Sequence, residues 1–424
     1  MLVLAACGGE AAPASVTIPA VSVTTPASST ATSEVEAAPR RSAVPAPPPM
    51  LVGRAVVDVA GRAVVRTLTK DAFGDGAAYG STLYHCVGRW AAPPKDERIQ
   101  ELHAYDLATG KLRWSKPVAH CRDIAAGAAG VLVGRYSSGA PGATFYDGAK
   151  GTSREVAPGR AVIAVHAFGA GFIALHEDGV LDALDGASLA VRGTVKLPFV
   201  PTPFELGSSF VERGAELCAA EGNGVDVHAL CIDAALGVRF SLHENLGGSS
   251  YVRERGARWA VAATTQGNPQ SLVIDLDAGK VAARVGAEVA ATVRNEADDL
   301  DGLLVTRPST QLLDRSGHVQ WNSPEPLGEA ARALSKDGMI FVASHDRMAA
   351  GASLIAFDAK TGAVRWRGDL KLAQDIVHSI YRNRVELDFD HGVLAIRGYE
   401  SSQEYFELIA PADGAPLFRV VQKR

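Results

Sequence analysis

The chain has 424 residues, 47 acidic and 42 basic side chains and a formal charge of −5. Its basic residues are scattered, which excludes the concentrated basic face that nucleic-acid binding needs. Beyond residue 50 the apolar runs are short and broken, far from the ~18 consecutive apolar residues of a membrane-spanning helix.

The chain opens Met1-Leu2-Val3-Leu4-Ala5-Ala6-Cys7-Gly8. Leu-Ala-Ala-Cys resembles a bacterial lipobox, which implies lipidation of Cys7 and membrane attachment through that lipid. Only six residues precede Cys7, short of the basic start and longer apolar core of a signal peptide. Residues 1–7 therefore read as a truncated signal peptide with its lipobox. Residues 8–50 hold 10 Ala, 8 Pro, 6 Ser, 5 Thr and no aromatic residue. Such a segment cannot bury enough apolar surface to offset its ordering entropy, so it reads as a disordered tether. A flexible chain of that length averages roughly 35 Å end to end.

Residues 51–424 read as one body built from a repeat. Leu102-His103-Ala104-Tyr105-Asp106-Leu107-Ala108-Thr109-Gly110-Lys111-Leu112-Arg113-Trp114 recurs as Leu354-Ile355-Ala356-Phe357-Asp358-Ala359-Lys360-Thr361-Gly362-Ala363-Val364-Arg365-Trp366. Each copy reads strand, turn, strand: an apolar stretch ends at Asp, Thr-Gly supplies the turn, and a second strand carries an aromatic. Weaker copies centre on Asp147, Asp185, Asp233, Asp275, Asp314 with Gly317 and Trp321, and Asp413. That makes eight units. The Asp185 unit is the least regular, lacking a turn Gly at the usual offset.

A second series precedes the turns: short apolar runs led by Gly80, Gly130, Gly171, Gly214, Gly256, Gly302, Gly338 and Gly392. Runs without alternation suit inner strands buried on both faces. Units spaced by roughly 40–50 residues suit four-stranded propeller blades. The pattern resembles the PQQ-like (quinoprotein-type) repeat. The resemblance implies an all-β, eight-bladed β-propeller of four-stranded antiparallel blades, with seven blades as the alternative. Closing the ring calls for a strand from near residues 53–67 to pair with the last blade.

Four cysteines follow Cys7: Cys86, Cys121, Cys218 and Cys231. Cys218 and Cys231 flank a polar turn at equal distance, so they stand opposite each other on neighbouring strands, near disulfide reach. Cys86 and Cys121 pair by elimination. Four reduced core thiols are the alternative.

Chemistry is harder to find. His85-Cys86 and His120-Cys121 invite a zinc reading, but neighbouring strand residues point to opposite faces, so a disulfide with two surface histidines is simpler. His176-Glu177 and His243-Glu244 lack the second His of a zinc-protease motif. The acidic stretches Glu296–Asp301 and Asp388–Asp390 lack calcium-loop spacing and read as solvated loops. No metal ligand set, cofactor or catalytic residue is assigned. Quinoprotein dehydrogenases share the blade motif, but the adjacent cysteines they use are missing here. Asp106, Gly110, Trp114, Asp314, Gly317, Trp321, Asp358, Gly362 and Trp366 are read as structural: Asp serves the turn and Trp packs between blades.

The architecture of lipobox, linker and PQQ-like blades is similar to the propeller lipoproteins of the outer-membrane β-barrel assembly machinery. The resemblance implies a non-enzymatic, lipid-anchored scaffold of the bacterial envelope, on the outer membrane and facing periplasm or surface, with envelope proteins as partners. Two readings compete: a quinone-dependent or other small-molecule enzyme with a central-channel site, and a carbohydrate- or surface-binding lipoprotein.

Overall fold

The computed structural model describes residues 50–68, 76–90, 98–118, 121, 123–135, 142–156, 159–199, 210–264, 269–306, 309–327, 330–345, 352–370, 384–399 and 403–423. Every regular element among them is a strand. None is a helix long and apolar enough to cross a membrane. Cys7, the tether up to residue 49 and His120 lie outside the described residues.

Among the described residues, eight four-stranded antiparallel units follow one another. Blade 1 comprises Gly76–Tyr79, Thr82–Trp90, Arg98–Asp106 and Lys111–Pro117. Blade 2 runs from Asp123–Gly127 to Ser153–Val156, and blade 3 from Val162–Phe168 to Val191–Lys196. Blade 4 comprises Phe210–Arg213, Glu216–Asn223, Asp226–Asp233 and Val238–Asn245. Blades 5 and 6 open with Ser250–Arg255 and Ala291–Arg294, and blades 7 and 8 with Ala330–Lys336 and Arg384–Asp390. The opening strands of blades 6 and 7 also pair in parallel, Val293 opposite Ala333.

Opening strands of successive blades touch over much of the ring, as Gly76–Tyr79 and Val162–Phe168 do on either side of Asp123–Gly127. They line the axis. Closing strands such as Val238–Asn245 alternate between exposed and half-buried residues, as an outer edge should. The Gly-led runs are the second strands. They are flanked on both sides and covered on both faces, which is why Trp259–Thr264 is buried at every position. They are therefore central to each blade without being innermost.

Apolar clusters bridge each neighbouring pair of sheets. Ile173, Leu175 and Leu181 of blade 3 meet Leu217, Leu230 and Ile232 of blade 4. Leu354 and Ala356 of blade 7 meet Leu394 and Ile396 of blade 8.

Ring closure differs from the sequence expectation. Among the described residues, the N-terminal segment adds no strand to blade 8. Met50–Val52, Ala55–Asp58 and Ala63–Thr67 pair with one another as a separate three-stranded sheet. One face covers Val393, Ala395, Phe406 and Leu408 of blade 8 with Val52, Ala55, Val57 and Val59. The other sets Val56 and Leu68 against Leu83, Tyr105 and Leu107 of blade 1. Blade 8 already has four strands of its own, so the segment closes the circle by packing face to face. A polar latch joins the two sheets: Gly53 N donates to Glu404 Oε2 at 2.6 Å.

Candidate functional site

The aspartates, arginines and tryptophans of the regular repeats make turn and inter-blade contacts. Asp106 accepts hydrogen bonds from Thr109 N at 2.9 Å and Thr109 Oγ1 at 3.1 Å, and it pairs with Arg113. Asp358 makes the same set with Thr361 and Arg365. The guanidinium hydrogen bond, joined by the turn groups, lowers both carboxyls to about 2. Asp314 accepts from Ser316 N and His318 N.

The three repeat tryptophans each reach the next blade's turn. Trp114 Nε1 donates to Gly148 O at 3.1 Å, Trp321 Nε1 to Ala359 O at 3.1 Å, and Trp366 Nε1 to Pro411 O at 3.0 Å. The irregular third unit keeps its turn. Asp185 accepts from Ala187 N and Ser188 N, while Leu189 adopts the left-handed conformation at φ 59°. The turn bonds and the buried Leu189 side chain offset a backbone cost that glycine would have avoided.

The structure joins Cys86 to Cys121 across a Cα separation of 5.6 Å, and Cys218 to Cys231 across 4.1 Å. Cys218 and Cys231 are directly opposed in the ladder. His85 is not at the surface: it is 5 % exposed, opposite His103 in the ladder. Its strand is the second of its blade, where both faces are covered.

The acidic stretch in blade 6 is tied down by basic side chains. Glu296 pairs with Lys336, Asp298 with Arg294 at 3.2 Å, Asp299 with Arg258 at 3.9 Å and Asp301 with Arg315 at 4.0 Å. Lys336 Nζ also sits 3.8 Å from the ring centroid of Phe389, which brings the second acidic stretch alongside. Near the axis, Arg294 Nε lies 3.2 Å from Glu254 Oε1. Burial lowers the pKa of Arg332, with Glu254 opposing that shift.

Two histidine–carboxylate pairs are internal. His176 Nε2 lies 2.8 Å from Asp182, whose carboxylate also accepts from Thr194 Oγ1 at 2.7 Å and Arg160 at 3.2 Å. His103 bridges Glu101 at 2.9 Å and Tyr105 OH at 3.0 Å. A mainly apolar groove of about 370 Å³ between blades 3 and 4 is lined by Phe168, Phe172, Leu184, Arg192, Ala215 and Leu236.

A third histidine cluster is open to solvent and was missed by the sequence reading. His228 and His243 are directly opposed on the last two strands of blade 4. Their rings stack at 4.6 Å, tilted by 14°. Phe199 stacks on His228 at 4.6 Å. Asp226 Oδ1 lies 3.1 Å from His243 Nε2 and accepts from Asn245 Nδ2 at 3.2 Å. Burial, then the neighbouring His243, lowers the His228 pKa, while the His243 hydrogen bond lowers that of Asp226. Counting outward from the Asp233 turn would have paired the two histidines, once the bulge between Cys231 and Ile232 is allowed for.

The repeat, the blades and the interlocking turns define a PQQ-like β-propeller. The family described as outer membrane protein assembly factor BamB matches residues 308–401. No curated protein matches the chain in sequence. Among solved structures, BamB from Moraxella catarrhalis is similar at 14 % identity and TM-score 0.44, over 82 % of this chain and 93 % of that one. Saccharomyces cerevisiae Sqt1 is similar at 9 % identity and TM-score 0.45, over 75 % and 90 %. Dihydro-heme d1 dehydrogenase NirN is similar at 13 % identity and TM-score 0.44, over 80 % and 66 %.

Proposed function

We propose that this chain is a lipid-anchored scaffold of the bacterial envelope. Cys7 and the 8–50 tether hold the propeller at the outer membrane, and the propeller binds proteins engaged in outer-membrane protein assembly without catalysing a reaction. The observation that carries this reading is the match of residues 308–401, in blades 6 to 8, to the family of assembly factor BamB. The roles of the repeat side chains agree with it. Their Asp, Thr, Arg and Trp groups are spent on turns and blade contacts, as a scaffold requires. Fold alone does not select among functions, so the test must be direct.

The test is affinity capture of the lipidated, full-length protein from detergent-solubilised membranes of its native host. Components of the β-barrel assembly machinery are expected to co-purify. Capture of none of them, with the bait correctly exported, overturns the assembly role. Added pyrroloquinoline quinone with Ca²⁺ is expected to leave the thermal midpoint unchanged. A ligand at a hundred times its dissociation constant would stabilise the native state by about 2.7 kcal/mol. An upward shift requiring both additives would favour the quinone enzyme instead.

A further inference from the structure

We propose that Asp226, His228 and His243 form a zinc-binding site on the last two strands of blade 4. One ligand atom from each residue lies within 4.8 Å of the others. The backbone fixes this grouping. His228 and His243 are opposed in the ladder, and Asp226 stands two residues before His228, hence on the same face of its strand. Glu221, a buried carboxylate, is opposite His228 on the preceding strand and so lies on that face too. Two imidazoles and a carboxylate form a donor set that favours a borderline divalent ion over calcium or magnesium.

The geometry needs only side-chain rotation. Zinc holds nitrogen and oxygen ligands at ~2.0–2.2 Å, so tetrahedral neighbours stand ~3.4 Å apart. The stacked rings must open slightly for their nitrogens to converge. His243 can swing, because 61 % of its side chain is exposed, and the last torsion of His and Asp is broad. His228 is steadied by Phe199 on its face. A metal approaches a histidine in the ring plane, so face packing leaves the lone pair accessible. Three protein ligands leave a fourth position for water or for a donor from a partner.

The test uses untagged full-length protein with both disulfides intact. Calorimetric titration with micromolar Zn²⁺ is expected to show one strong site per chain. Co²⁺ is expected to give the intense visible absorption of a four-coordinate ion, bleached by added Zn²⁺. His243→Ala and Asp226→Asn should each weaken Zn²⁺ by about tenfold or more and remove the cobalt bands. His318→Ala, at an exposed histidine paired with Asp314 in blade 6, should change neither. His243→Gln is a second variant should the alanine form fold poorly. Wild-type protein that binds no zinc, or binds it as well after His243→Ala or His243→Gln and after Asp226→Asn, overturns the proposal.

Discussion

The indole of Trp114 fills the space that a side chain at Gly151 would need. A Cβ there would come to 2.7 Å from Trp114 Cδ2, and the residue is left-handed at φ 64°. The same relation joins Trp321 to Gly362 and Trp366 to Gly414. Aromatic and glycine in the repeat are thus two halves of one contact, each supplied to the neighbouring blade. Gly151→Ala should destabilise the protein by more than the roughly 1–2 kcal/mol of left-handed strain alone, because the added methyl strikes the ring. Gly169→Ala isolates the strain, since Gly169 is left-handed at φ 57° and a Cβ there would meet nothing within 4 Å. Equal losses in denaturant titrations would refute the contact. Trp114→Ala should cost about 3–5 kcal/mol, as for other large aromatics removed from cores.

Acid should weaken the turns in a defined window. Asp106 and Asp358 have folded pKa values of about 2 against an ordinary 3.8, chiefly through the hydrogen bonds from Arg113 and Arg365. A depressed folded pKa means that the folded state binds its proton later than the unfolded chain does. The stabilisation is therefore present above 3.8 and is lost as pH falls from there toward about 2. Replacing both residues by Asn should flatten that part of the stability profile. An unchanged slope in denaturation curves across the window would show that these carboxylates carry no linkage.

The Cys218–Cys231 link closes a short loop, with a sequence separation of 13 between its ends. In the chain-entropy model its reduction should cost on the order of 3 kcal/mol. Non-reducing peptide mapping of exported protein should recover these two cysteines joined. A link from Cys218 to Cys86 or Cys121 would contradict the ladder register.

Cys7→Ser should release the exported protein from membranes when it is expressed behind a complete signal sequence. One acyl chain binds marginally, whereas the two or three of a lipoprotein anchor stably. Wild-type protein that stays in the aqueous fraction after export would rule out the lipobox reading.

The sequence by itself determined the repeat, because turn chemistry is local. In two copies an Asp that accepts from a Thr three positions on, a left-handed glycine and a following aromatic fall within one short stretch, and weaker copies repeat parts of that pattern at blade spacing. It also determined the opposition of Cys218 and Cys231, since a hairpin's register follows from its turn. Leu189 shows where local reading weakens: hydrogen bonds from the turn to Asp185 hold a branched residue in a conformation usually left to glycine. Only the tertiary structure decided how the ring closes. Whether residues 50–67 extend blade 8 or stand beside it depends on whether that blade has a vacant edge, which no local pattern encodes. The meeting of Asp226, His228 and His243 was likewise decided by pairing across a bulged hairpin. A bulge shifts register by one residue and so determines which side chains share a face.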